Sequence, residues 1–417
     1  MSKAEISNAQ PRFGEMSSKL IIIFGTCTAF ALGNELPVPD KETEKAIGCY
    51  YSSGAERFPP PEDSLRIENI DPFLCTHLYY NFVGLNADAT VRILDPGYDL
   101  HAMKRFNDLR KKNPNLKTLV TMGGSQIMSG NYTTVVNDPL LREQLADNVV
   151  EFVKKYDFNG IDIYWEYPAQ SFRDQVGVPS DKQNFVLLLK QIRKEFDKEG
   201  FILTAACGAS EVNPDVSYDI KGISKYVHYI NLMTFDFHGT VDADMKVGHN
   251  TPLFASPQED EDASKLNVNY VVNYWLARGA PAEKIVLGTA FYGISFTLAD
   301  KNQVGRGAPF VHIGGMVPAY YEICSLKADG GWKRIFDAEQ QVPYIVKGDQ
   351  IIAYDDAESI AVKAEYVMKK HLGGCLMWTL DQGDFDGRCG EKFPLLKTLN
   401  RILRNNTGKT GSEKLDL

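Results

Sequence analysis

Apolar and polar positions recur along this chain on two periods, and the order in which the periods follow one another predicts the fold. Short runs that alternate with a period of two, or are almost continuously apolar, occur as AIGCYY (46–51), CTHLYYNFVGL (75–85), KTLVTMGG (117–124) and FNGIDIYWEYP (158–168). Four more follow as FILTAACG (201–208), VHYINLMTFD (227–236), KIVLGTAFYG (284–293) and GGCLMWTL (373–380). Each reads as a strand. Between most of them lie longer stretches with apolar residues three and four apart, such as PLLREQLADNVVEFVKKY (139–156) and NFVLLLKQIRKEF (184–196), which read as amphipathic helices. Asp138 and Asp181 stand where helix N-caps belong, and Gly200 where a helix stops.

Eight strands alternating with helices predict a parallel sheet with right-handed crossovers, closed into a (β/α)8 TIM barrel over 46–293 and 357–404. The rhythm breaks at 294–356, a Gly-, Tyr- and Pro-rich stretch that reads as an insertion. Asn34 to Lys45 is a polar lead-in, and 405–417 a polar tail.

One strand stands out chemically. Ile161, Ile163 and Trp165 alternate with Asp162, Tyr164 and Glu166, so one face is apolar and the other carries the reactive groups. Pro168 has no N–H to donate and ends the ladder, which puts Glu166 where strand gives way to loop, a place for a proton donor. In a barrel of this type chemistry sits at the C-terminal ends of the strands. The residues closing the runs are Tyr50, Phe82, Gly123, Gly124, Asp162, Glu166, Met233, Phe235, Asp236, Tyr292 and Trp378.

Composition narrows the partners. A net charge of −9 and a pI near 5.4, with no run of Lys or Arg, argue against a nucleic-acid partner and an anionic membrane surface. Leu20 to Leu32 is an apolar run after Lys19 and before small residues, the layout of a secretory signal within 1–33 and too short for a spanning helix. The mature chain is therefore expected to be secreted, extracellular and free of the membrane, and a monomer. Beyond Cys27, which the cleavage would remove, lie Cys49, Cys75, Cys207, Cys324, Cys375 and Cys389. They are too scattered for a zinc site, and Cys207 and Cys375, in apolar runs, read as buried thiols. Asn131 and Asn405 begin glycosylation sequons.

The 158–168 stretch resembles the signature of family 18 glycoside hydrolases, the chitinases and chitinase-like lectins, whose fourth barrel strand reads D-G-x-D-x-D-x-E followed by Y-P. Gly160, Asp162 and Glu166 match it; Asn159 and Tyr164 depart. The resemblance extends over about 46–404 through CTHLYYNF, the MGG of the third strand, MTFDFHG (233–239), GHNTPL (248–253), GGMVPAYYE (314–322) and GGCLMWTLDQGDFDG (373–387). It implies disulfides Cys49–Cys75 and Cys324–Cys389, and an α+β subdomain between the seventh strand and seventh helix for 294–356. Neither a metal nor a cofactor is implied.

The family mechanism is substrate-assisted: a terminal Glu protonates the glycosidic oxygen while the sugar's own 2-acetamido oxygen attacks the anomeric carbon. By resemblance Glu166 is the acid/base, with Asp162 and Asp236 supporting, and Trp378 floors a subsite to which Tyr50, Phe82, Met233, Tyr164, Phe235 and Tyr292 contribute. Yet Tyr164 stands where the family has the Asp that stabilises the oxazolinium, and Phe235 where it has the Tyr that donates to the acetamide oxygen. Losing one such partner commonly costs about 3–4 kcal/mol of transition-state stabilisation. Gly54, Ser125 and Val241 replace family tryptophans, and Ile294 a family arginine, which leaves platforms only for a short ligand near the centre.

The expected ligand is chitin or a β-1,4-linked N-acetylglucosamine oligosaccharide, bound or weakly hydrolysed. Two alternatives stay open: a non-enzymatic lectin or growth-factor-like signalling protein, and a double-displacement glycosidase with Asp236 as nucleophile.

Overall fold

The computed structural model describes residues 44–60, 63–124, 129–171, 176–209, 212–239, 245–313 and 317–405. The expected signal (1–33), most of the polar tail, Ser125 and Val241 lie outside the described residues.

The first strands are β1 (Ala46–Ser52), β2 (His77–Leu85), β3 (Val91–Ile93), β4 (Lys117–Gly124), β5 (Gly160–Trp165), β6 (Ile202–Gly208), β7 (Tyr229–Met233) and β8 (Ile285–Ala290). They are followed by β9 (Ile294–Leu298), β10 (Phe310–Ile313), β11 (Lys333–Asp337), β12 (Val342–Lys347), β13 (Gln350–Ala353) and β14 (Gly374–Trp378). The larger sheet runs β1-β14-β8-β7-β6-β5-β4-β2 with every neighbouring pair parallel, and β1 also pairs β2, so the sheet closes on itself. This is a closed eight-stranded barrel wrapped by helices, with β3 an antiparallel flap on β2.

The helices are α1 (Pro96–Asp108), α2 (Tyr132–Asn137), α3 (Pro139–Lys155), α4 (Asp181–Glu199), α5 (Val212–Ser217), α6 (Ile220–Ser224), α7 (Val268–Ala277), α8 (Tyr320–Ala328), α9 (Ala357–Lys369) and α10 (Pro394–Asn405). Asp138 caps α3 by accepting from Leu140 N at 2.8 Å, and Gly200 ends α4 at φ 72°. Asp181 is a correction: it is not the cap of α4 but its first helical residue, fully buried. Its carboxylate accepts from Thr133 Oγ1 at 2.9 Å, Asn137 Nδ2 at 2.7 Å and Val178 N at 2.9 Å. One residue inside the helix, the carboxylate is turned onto α2 and ties the two helices together.

The period of two in β5 translates directly into layers. Ile161, Ile163 and Trp165 join the core between barrel and helices, where the Trp165 ring meets Phe185 of α4 at 5.8 Å and stacks on Tyr132 of α2 at 5.1 Å. Asp162 and Tyr164 face the barrel interior, Tyr164 within a second apolar cluster containing Tyr50, Tyr79, Met233, Phe235 and Tyr292. Between β8 and α9 the chain builds a separate antiparallel sheet in the order β10-β9-β13-β12-β11, with α8 alongside in sequence and Phe296, Phe310 and Ile351 in its own core. The disulfides Cys49–Cys75 and Cys324–Cys389 are both formed, and Cys207 and Cys375 are buried thiols. Among the described residues no helix is long and apolar enough to cross a membrane.

Candidate active site

All eight barrel strands run the same way, so the residues that close them gather at one mouth. At its floor Trp378, the last residue of β14, lies half-buried with ring centroids 5.2 Å from Tyr50, 6.0 Å from Phe82, 5.8 Å from Tyr164 and 6.3 Å from Phe235. Phe235 meets Tyr292 at 6.3 Å. Gly124, at φ 103°, is what lets Phe82 into the cluster: a Cβ there would fall 2.7 Å from the Phe82 ring. Non-proline cis peptide bonds follow Asn81, within β2, and Glu166 and Trp378, at the ends of β5 and β14.

Asp162 is enclosed. It accepts from Tyr50 Oη at 2.9 Å, Thr204 Oγ1 at 2.6 Å and Asn231 Nδ2 at 3.0 Å, and burial pushes its carboxyl up to about 6 despite those three donors. Tyr50, 1 % exposed and also receiving Asn231 Nδ2 at 2.8 Å, underlies the floor and does not line the opening. Asp236 sits past β7 at φ 58°; its backbone N–H donates to Asn250 Oδ1 at 2.9 Å, and its carboxylate accepts from Tyr292 Oη at 2.6 Å. Its side chain opens to solvent at the mouth, yet the surrounding walls desolvate the carboxylate enough to raise its pKa, with the Tyr292 bond opposing.

Glu166 is the centre of the arrangement. Its backbone N–H is held by Ser129 Oγ at 3.2 Å, and its Oε1 accepts the Tyr164 hydroxyl at 2.7 Å. Burial pushes the carboxyl up to about 7; the Tyr164 bond pulls the other way, and the nearby Asp236 charge adds to the rise. A carboxyl near 7 holds its proton part of the time at neutral pH, as a general acid must. Burial holds the Tyr164 hydroxyl in its neutral form. It is therefore a donor to Glu166; its oxygen can still accept a hydrogen bond, but no negative charge is left in its place to face a substrate cation.

The structure thus brings together Glu166, Tyr164, Asp162, Asp236, Phe82, Met233, Phe235, Tyr292 and Trp378, with Tyr50 beneath them. Sequence reasoning missed Thr204 and Asn231, which donate to the Asp162 carboxylate, and Ser129 and Asn250, which accept the backbone N–H groups of Glu166 and Asp236. Thr204 and Asn231 did leave a signal, as polar residues within the apolar runs of β6 and β7. Asn131 is half-buried with its amide nitrogen donating to the Leu85 carbonyl at 2.8 Å. Asn405 closes α10. The sulfurs of Cys324 and Cys389, which lie beside the Asp384 carboxylate, are joined in a disulfide.

Residues 46–383 match the family model for glycosyl hydrolases family 18. The chain belongs to that family. This family 18 chain is similar to "Probable chitinase 2" of Drosophila melanogaster, 36% identical over 86% of this chain and 80% of that protein. Among solved structures it resembles the Group IV chitinase of Ostrinia furnacalis in complex with allosamidin, with TM-score 0.82 and 38% identity over 86% of this chain and 99% of that one. It also resembles human YKL-39, with TM-score 0.79 and 32% identity over 86% and 99%, which is described as a pseudo-chitinase with retained chitooligosaccharide binding properties. The family 18 fold is thus shared by neighbours described as chitinases and by one described as a pseudo-chitinase.

Proposed function

We propose that this is a secreted chitinase-like protein that binds β-1,4-linked N-acetylglucosamine oligomers at Trp378 and hydrolyses them weakly, with Glu166 as proton donor. The observation that carries the reading is the 2.7 Å bond from the Tyr164 hydroxyl to Glu166: the acid is present, half-buried and partly protonated, but its neighbour is a neutral phenol. Substrate assistance needs negative charge beside the oxazolinium and a donor on the acetamide oxygen. Tyr164 and Phe235 offer neither. The alternative, a lectin without turnover, is favoured by the same pair together with the pseudo-chitinase among the neighbours. Two formed disulfides suit the oxidising compartment that secretion implies.

The test is hydrolysis of a fluorogenic chitotrioside beside calorimetric binding of the unmodified trisaccharide. Turnover is expected at least about a hundredfold below that of a family chitinase with the full signature, and Trp378→Ala is expected to abolish binding without unfolding the protein. Ordinary chitinase rates would sink the weak-enzyme reading, and binding that survives Trp378→Ala would move the site elsewhere.

Residual turnover should also report the acid. Glu166 works protonated, so the rate should fall as pH rises through about 7. Tyr164→Phe removes the bond that favours the carboxylate, so the falling limb should move to higher pH. An unmoved limb would show that the contact does not govern the titration. The stability term has a matching sign: relative to its ordinary 4.5, Glu166's raised value contributes stability that is complete below about 4.5 and lost as pH climbs through about 7.

A further inference from the structure

Phe58 is 81 % exposed, the most exposed of the large apolar side chains among the described residues. A lone exposed phenylalanine is ordinary; the position and backing of this one are not. β1 pairs β14 on one side and β2 on the other, with Cys49 opposite Met377 and Ser52 opposite Asn81. The chain therefore leaves the barrel between β14, which ends in Trp378, and β2, which carries Phe82, two residues of the floor of the site. Ser53 N donates to Asn81 O at 2.6 Å and Ser52 N to Asp381 Oδ1 at 3.1 Å, which fixes the departure point on both sides.

From there one turn carries the chain to Phe58, whose N–H bonds to Gly54 O at 3.0 Å. The turn brings the phenyl ring down onto Gly54. A Cβ at position 54 would lie 2.4 Å from Cδ2 and 2.6 Å from Cε2 of that ring, so only glycine leaves the ring this seat. Arg57 steadies the other flank: its guanidinium lies 5.1 Å from the Phe58 centroid and 4.4 Å from the Tyr98 centroid, and it is paired with Asp95. An aromatic ring thus rests against Arg57 and Gly54 six residues past the end of β1, on the loop that leaves the barrel mouth, while most of its surface stays open to solvent.

We propose that Phe58 is the stacking platform of an outer sugar-binding subsite, taking a pyranose of a longer N-acetylglucosamine oligomer whose inner units lie over Trp378. The proposal rests on the reading of the central site as one for N-acetylglucosamine oligomers. Its chemistry is that of a flat apolar ring against the C–H face of a sugar. Position 54 then has its own logic: the small residue makes room for a ring supplied four residues later. Ligand length, and not the inner site, is what Phe58 controls.

The experiment is calorimetric titration of the dimer and the hexamer of N-acetylglucosamine against wild type, Phe58→Ala, Phe58→Tyr and Gly54→Val, with thermal melts as folding controls. Phe58→Ala should weaken hexamer binding roughly tenfold and leave the dimer unchanged. Phe58→Tyr should retain hexamer affinity. Gly54→Val keeps the ring but drives it from its seat, and should reproduce the Phe58→Ala loss. Equal hexamer affinity in wild type and Phe58→Ala overturns the subsite while the inner site stands, as does an equal loss for both lengths. If wild type binds neither length, the central reading falls and the subsite with it.

Discussion

Restoring Tyr164→Asp and Phe235→Tyr together is expected to raise chitotrioside hydrolysis by more than the product of the two single gains, each single gain being up to roughly a hundred- to a thousandfold. Both changes act on one group in one transition state. Tyr164→Asp puts a negative charge beside the oxazolinium and frees Glu166 Oε1 from the phenol that now occupies it at 2.7 Å. It also removes a ring that packs 5.8 Å from Trp378 and 5.9 Å from Phe82, opening space at the floor where the acetamide must fold under the sugar. Phe235→Tyr places a hydroxyl on the other side of that space. Each variant needs its Glu166→Gln counterpart as a blank and a melting curve as a folding control. A double variant no faster than its blank would mean that Glu166 no longer serves as an acid, and the binding-only reading would replace the enzymatic one.

The barrel was legible because its strands are amphipathic in a specific sense: β5 hides Ile161, Ile163 and Trp165 under the helices and turns Asp162 and Tyr164 inward, and both faces leave a trace in the sequence. Strand ends were less legible. The apolar run 227–236 suggests one long strand, yet β7 stops at Met233, because Thr234 Oγ1 turns to the Gly288 carbonyl at 2.7 Å and the chain reverses through Asp236 at φ 58°. Apolarity marks burial and says nothing about where the ladder of hydrogen bonds ends. Asp181 failed for a related reason: a cap and a buried tie share the same residue type, and only the packing of α2 decides between them. The departures at Tyr164 and Phe235 were fully legible, since they need only a residue read against a motif. Phe58 was not, because the four-residue turn that seats it on Gly54 has no periodic signal.

Lys363→Ala is expected to destabilise the protein by about 3–5 kcal/mol, a fall of about 5 °C in melting temperature for a chain of this size. Lys363 of α9 and Asp355, just before it, form an ion pair with both side chains fully buried. Burial holds the lysine's pKa below its usual value, with the Asp355 charge opposing. Around the pair, Lys363 Nζ donates to Thr251 Oγ1 at 2.6 Å, Thr251 Oγ1 to Asp355 Oδ2 at 2.6 Å, and Ser359 Oγ to Asp355 Oδ1 at 2.7 Å. Removing the ammonium leaves a carboxylate in the core without its counter-charge. Lys363→Met with Asp355→Leu removes both charges and should recover much of the loss, but not all of it, because the Thr251 and Ser359 hydroxyls then lose their acceptor. The consequence reaches the site, since Thr251 follows Asn250, whose Oδ1 receives the Asp236 backbone N–H. A loosened Thr251 loosens Asp236. Oligomer binding should therefore weaken in Lys363→Ala even well below its melting temperature, and a variant that melts with wild type and binds as wild type would show that this network carries neither the fold nor the site.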